Sequence, residues 1–90
     1  MAEIVTIEVK FFASLRERIA LGSLTCCAAS MPELRQDLVS QLSAEAYQVL
    51  CADGVRVAIN QTFINDGWQD SAETIPAGAE VAFLPPVTGG

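Results

Sequence analysis

The sequence predicts an α+β domain, on three observations. Apolar residues occupy every second position from Val5 to Phe11, leucines recur every fourth position from Leu34 to Leu42, and short alternating runs return at 55–59 and 80–84. A period of two marks a half-buried strand, and a spacing of three or four marks one face of a helix. Strands gathered around one principal helix predict a sheet with that helix laid across one side.

Each element has a local reason. Val5, Ile7, Val9 and Phe11 alternate with Thr6, Glu8 and Lys10, which predicts the first strand, and Phe12 breaks the alternation toward the opposite face. Ser14-Leu15-Arg16-Glu17 reads as a capping box with Ser14 as N-cap. It opens a short helix on which Leu15 and Ile19 share a face, with Gly22 as its terminator. Ser23 to Ala28 reads as a second strand, with Cys26 and Cys27 on opposite faces. Ser30-Met31-Pro32-Glu33 is a second capping box, with Pro32 in the first turn, where its missing N–H costs little. Leu34, Leu38 and Leu42, with Met31 and Val39 beside them, make the main amphipathic helix. Ser43 to Ala52 continues as a short helix carrying Tyr47 and Leu50, and Asp53-Gly54 is a turn. Val55, Val57 and Ile59 define a third strand, Asn60-Gln61 a tight turn, and Thr62-Phe63-Ile64 a short strand closed by Asn65-Asp66-Gly67. Trp68 to Ala79 reads as loop. Glu80 to Leu84 is the last strand, with Val81 and Phe83 on one face and Ala82 and Leu84 on the other, stopped by Pro85-Pro86.

Strand, short helix, strand, long helix, then strands is the order of a β-grasp domain: a mixed sheet with one main helix packed on it. Residues 1–84 are assigned to that domain and 85–90 to a flexible C-terminal Gly-Gly tail. The sheet face opposite the helix is then covered, solvated or offered to a partner.

Composition excludes several functions. With 51% hydrophobic and 18% charged residues the profile is globular. No apolar run approaches the roughly 20 residues of a membrane span, and the N-terminus carries no signal-peptide pattern, so a soluble, cytoplasmic protein without membrane association is expected. The formal net charge is −6, and Lys10, Arg16, Arg18, Arg35 and Arg56 are scattered, which argues against nucleic-acid binding and for a partner with a positive face. Cys26, Cys27 and Cys51 are an odd set with no disulfide spacing, and without histidine they complete no zinc site. They are read mainly as small core hydrophobes, with a redox or sulfur-relay role as the lesser reading. The absence of histidine also removes Ser/His and Cys/His nucleophile pairs. No glycine pattern cradles phosphate, and the spacing of the eleven carboxylates singles out no acid–base pair.

The tail, Leu84-Pro85-Pro86-Val87-Thr88-Gly89-Gly90, is different. Two terminal glycines arise by chance in about 0.5% of chains at average usage, so the pair alone is weak. The residues before it add design. Pro85-Pro86 favours a stiff, extended stem. Gly89-Gly90 then makes an arm thin enough for a channel where any β-carbon would clash. Its reactive group is the α-carboxylate of Gly90, which is ionised at neutral pH and needs activation, for instance as an acyl-adenylate. A sulfur donor displacing AMP would leave a thiocarboxylate able to hand on sulfide. That chemistry asks this chain for no catalytic side chain.

Three segments resemble the small subunits of molybdopterin synthase, the MoaD family. Phe11-Phe12-Ala13-Ser14-Leu15-Arg16-Glu17 is similar to the family's FFA-x-[LV]-RE signature, and Ala58-Ile59-Asn60-Gln61 to its V-N-Q segment. Gly78 to Gly90 resembles its G-D-E-V-A-F-x-P-P-V-[ST]-G-G ending, with Ala79 in place of a common Asp and Leu84 in place of a frequent aromatic. The resemblance implies a ubiquitin-like β-grasp fold and a sulfur carrier that is not an enzyme on its own. It implies that a MoeB-like enzyme adenylates Gly90 with ATP and magnesium, that a sulfurtransferase supplies the sulfur, and that no cofactor is bound permanently. It implies insertion of Pro85, Pro86, Val87, Thr88, Gly89 and Gly90 into a MoaE-like large subunit within a heterotetramer. There, two sulfurs go to cyclic pyranopterin monophosphate in molybdenum cofactor biosynthesis. Phe12, Phe63 and Leu84, apolar and off the core faces, resemble positions that contact the large subunit. Trp68 is read either as an addition to that patch or as the cap of a small satellite cluster. The alternatives are a sulfur carrier for thiamine or cysteine biosynthesis, a ubiquitin-like protein modifier, or a pure interaction domain.

Overall fold

The computed structural model describes residues 6–64 and 67–86. The elements run β1 (Thr6–Phe11), α1 (Ala13–Ile19), β2 (Ser23–Cys27), α2 (Met31–Gln41), α3 (Ala44–Leu50), β3 (Arg56–Ile59), β4 (Thr62–Phe63) and β5 (Glu80–Leu84). The strands form one sheet in the order β2-β1-β5-β3-β4. β1 and β5 pair in parallel, and the other neighbours are antiparallel. The mixed sheet with its main helix is the β-grasp arrangement that the element order predicts. Val5 and the Asn65-Asp66 part of the predicted turn lie outside the described residues.

The predicted inner faces hold. Ile7, Val9, Phe11, Cys26, Val57, Val81 and Phe83 face the helices and join Leu15, Ile19, Met31, Leu34, Leu38, Leu42 and Leu50 in one core. Each such large side chain stabilises the fold by roughly 1.5–3 kcal/mol through burial. Val39 departs from expectation and is 57% exposed. It lies one residue, about 100° of helix, beyond Leu38, which carries it off the leucine stripe. In its place Arg35 turns inward, and Nη1 donates to the carbonyl oxygens of Trp68 and Ser71, both at 2.8 Å.

The two predicted capping boxes fare differently. Ser30 caps α2 through Oγ, which accepts from the Glu33 amide, while the Glu33 carboxylate accepts from Ala29, one residue before the expected donor. Ser43 caps α3 in the same way, its Oγ accepting from the Ala46 amide. Ser14 caps nothing: α1 starts at Ala13, and Phe12 is the N-cap without a side-chain bond. Phe12 is already held by backbone, since its N–H donates to Phe83 at 3.2 Å and its carbonyl accepts from Leu15. Gly22 is likewise not the terminator. Ala20 takes the left-handed cap at φ 64°, and Gly22 accepts from the Phe11 amide, handing the chain to β2.

The predicted loop from Trp68 to Ala79 is stitched to the domain. Glu73 accepts from Met31, Ile75 donates to Ala29, and Gly78 donates to Thr6. Trp68 belongs to the main core rather than to the surface patch or a satellite cluster. It is buried edge-on against Phe83, with centroids 5.0 Å apart, and its Nε1 donates to the Leu50 carbonyl at 3.1 Å. That bond satisfies a carbonyl in the last turn of α3, where helices lack internal donors. The exposed edge of β2 is blunted from α2: Asp37 accepts from the Cys27 amide and Gln41 donates to the Thr25 carbonyl. Such an edge is a poor template for pairing with another chain.

Candidate functional site

β5 is the central strand, and the stem Pro85-Pro86 leaves directly from it. The predicted carrier residues Val87, Thr88, Gly89 and Gly90 lie outside the described residues. Pro85 and Pro86 are described, as are the three predicted patch residues.

Alternation along the strands decides what surrounds the stem. Because Val81 and Phe83 face the helices, Ala82 and Leu84 face the opposite side of the sheet. Phe12 continues β1 in an extended conformation beside Leu84. In register, Leu84 is paired with Arg56, and Ala82 is flanked by Lys10 and Ala58, the latter itself opposite Phe63. The outer face near the stem therefore carries Phe12, Leu84, Arg56 and Phe63 around a floor of Ala58 and Ala82. Phe12 is 42% and Phe63 44% exposed, and Leu84 is half-buried, so all three lie off the core as expected. Arg56 places its guanidinium carbon 4.2 Å from the Phe63 ring centroid and bridges two rows of the patch. Lys10 and Glu80 pair at 2.9 Å on the same face, and that carboxylate raises the lysine pKa above its ordinary value.

Sequence reasoning missed Arg56 and the alanine floor, although strand alternation carries the signal. With Val55, Val57 and Ile59 inward, Arg56 and Ala58 must face outward. Among the described residues, no cluster of three or more metal-ligating side chains occurs, and no helix is long and apolar enough to cross a membrane.

The chain matches the family described as the ThiS family over residues 9–90, nearly its whole length. The chain belongs to the ThiS family. A curated relative from Escherichia coli (strain K12), the molybdopterin synthase sulfur carrier subunit, is 36% identical over 88 residues, covering 93% of this chain and 99% of its own. The resemblance to small subunits of molybdopterin synthase is thereby upheld. Among solved structures, one chain of the protein-protein complex of subunits 1 and 2 of the molybdopterin-converting factor from Helicobacter pylori 26695 matches with a TM-score of 0.65 at 25% identity, covering 94% of this chain and 99% of that one. The small archaeal modifier protein 1 of Methanosarcina acetivorans shares the fold, with a TM-score of 0.72 at 23% identity over 99% of this chain and 100% of that one. These neighbours fix this ThiS-family member as a ubiquitin-like β-grasp domain.

The cysteines divide by environment. Cys26 is wholly buried, and burial, with the Asp37 carboxylate acting in the same direction, pushes its thiol up to about 12 from 9.0. A thiol held neutral is a poor nucleophile, so Cys26 is unsuited to sulfur relay. Cys27 is exposed on the other face. At pH 8 an alkylating reagent is expected to label Cys27 in the folded protein and Cys26 only after unfolding, as read by peptide mass. The folded state binds the Cys26 proton more tightly than the unfolded chain does. Its contribution to stability is therefore complete below about pH 9 and falls as pH rises toward 12. Urea titrations of native protein and Cys26→Ala from pH 8 to 11 should diverge in that sense, and parallel profiles would contradict it.

Proposed function

We propose that this chain is the sulfur carrier subunit of a molybdopterin synthase. Gly90 is adenylated by an activating enzyme using ATP and magnesium, and a sulfur donor displaces AMP to leave a C-terminal thiocarboxylate. The thiocarboxylate sulfur then bonds to cyclic pyranopterin monophosphate held by a large subunit, and water hydrolyses the acyl–sulfur bond, leaving the sulfur on the acceptor and returning the carboxylate. The activation comes from the partner enzymes, and this chain supplies the docking face and the reacting terminus.

The observation that carries this reading is the course of β5. The central strand runs out of the core beside an exposed apolar face and leads into Pro85-Pro86, which in sequence precede the Gly-Gly end. A docked partner covering Phe12, Leu84 and Phe63 would lie where the stem leaves, so binding and delivery share one surface. The 36% identity to a sulfur carrier of this type over nearly its full length supports the pathway.

The test is the intact mass of protein purified from cells making the cofactor. A fraction heavier by the difference between sulfur and oxygen at the C-terminus is expected, together with rescue of a strain lacking the small subunit. Isopeptide conjugates on denaturing gels without the heavier species would point to a protein modifier instead.

Phe63→Asp places a charge beneath the large subunit and removes the ring under Arg56. It should weaken large-subunit binding at least tenfold, about 1.4 kcal/mol. The melting temperature should move little, because Phe63 lies outside the core. Unchanged affinity by calorimetry would remove Phe63 from the docking face.

A further inference from the structure

Gly54 sits under the tail's stem. Its φ is 86°, and a β-carbon built there would lie 2.7 Å from Cβ of Pro86, 3.5 Å from its Cγ and 3.6 Å from its Cα. Side-chain carbons do not approach this closely, so the proline ring rests on a bare α-carbon. Gly78 is the internal contrast: it too has positive φ, 74°, but a β-carbon there would meet nothing within 4 Å. Gly78 answers to its turn alone, whereas Gly54 answers to a turn and to a contact.

The register explains why these two residues meet. β3 and β5 are antiparallel, with Arg56 opposite Leu84. Counting outward, Val55 falls beside Pro85 and Gly54 beside Pro86. The prolines have no N–H to extend the ladder, so the sheet's alignment continues past Leu84 as packing instead of hydrogen bonds.

We propose that Gly54 is a positioning residue for the C-terminal tail. Its bare α-carbon is the seat on which Pro86 rests, and it sets the direction in which the tail leaves the sheet. The proposal builds on the reading of the tail as the sulfur-bearing arm. Four residues follow Pro86, which reach at most about 13–14 Å when extended. A tilt of roughly ten degrees at the seat would move the end of such an arm by about 2 Å, and misplacement by about 1 Å can slow a reaction hundredfold.

The test is a double-mutant cycle on protein carrying the C-terminal thiocarboxylate. Native protein, Gly54→Ala, Pro86→Gly and the double variant are each mixed with the large subunit and cyclic pyranopterin monophosphate. Single-turnover sulfur transfer is measured, with large-subunit affinity measured separately. Gly54→Ala should slow transfer at least tenfold in the native background and less than twofold in the Pro86→Gly background, where the clashing carbon is gone. Gly54→Asn, which tolerates left-handed backbone but carries the same β-carbon, should behave like Gly54→Ala, and Gly78→Ala should slow transfer less than twofold. Equal slowing by Gly54→Ala in both backgrounds, or native rates in both Gly54 variants, would overturn the seat. If native protein itself transfers no sulfur, the carrier reading fails. The seat is then judged by NMR, where a cross-peak between the Gly54 α-protons and Pro86 β-protons in native protein supports it and its absence overturns it.

Discussion

Deletion of Gly89 and Gly90 is expected to abolish sulfur transfer, lowering it at least hundredfold, while large-subunit affinity stays within about tenfold. Reach decides the outcome. Each extended residue spans roughly 3.3–3.6 Å, so the new carboxylate, on Thr88, stops about 7 Å short of where the native one acts. Reacting atoms must come within about 3–3.5 Å of each other, and a shortfall of this size leaves no productive geometry. Affinity suffers less because two glycines have no side chains to bury, while the docking face stays intact. Transfer assays and calorimetry on the same preparation separate the two effects. Retention of transfer by the truncated chain would refute the carrier mechanism, and retention of neither activity would point to a tail that serves binding alone.

Trp68→Ala is expected to have the largest effect on stability. Trp68 stacks edge-on against Phe83 and Tyr47 and donates to Leu50. Truncating a buried tryptophan costs about 3–5 kcal/mol through lost burial and the cavity left behind. A chain of this length has roughly 5–13 kcal/mol in total. At about 4–8 °C per kcal/mol for a domain of this size, the melting temperature should fall by on the order of 15 °C or more. Trp68→Phe keeps a ring against Phe83 but strands the Leu50 carbonyl, and should cost about 1–2 kcal/mol. Urea melts of the two variants check both figures, and an alanine variant within 1 kcal/mol of native would remove Trp68 from the list of core anchors.

Trp68 also shows where reading the sequence stops. β1 was legible because its two faces meet different environments, and alternation from Thr6 to Phe11 records that difference directly. The leucine stripe of α2 was legible for the same reason. Trp68 lies in a segment without periodicity, held by contacts to Arg35 and Leu50 that are 33 and 18 residues distant, and no local pattern records such partners. Ser14 failed as a cap because the strand entering α1 already held Phe12, so tertiary context overrode a local motif. At the candidate site, the apolar character of Phe12, Phe63 and Leu84 was legible residue by residue. Their gathering around Ala58 and Ala82 needed the sheet order. The contact between Gly54 and Pro86 needed the register of two strands far apart in the chain.

The place of β5 has a mechanical consequence. A partner that grips the tail and draws on it pulls along the axis of a strand bonded on both sides, to β1 and to β3. The bonds to β3 run perpendicular to the line of pull and those to β1 slant across it, so the load is spread over both ladders at once. A tail hung from an edge strand would load a single ladder under the same force. Hung from the middle of the sheet, the tail shares any pull between two ladders, so the proposed delivery of its end to a partner would load the domain where it is best braced.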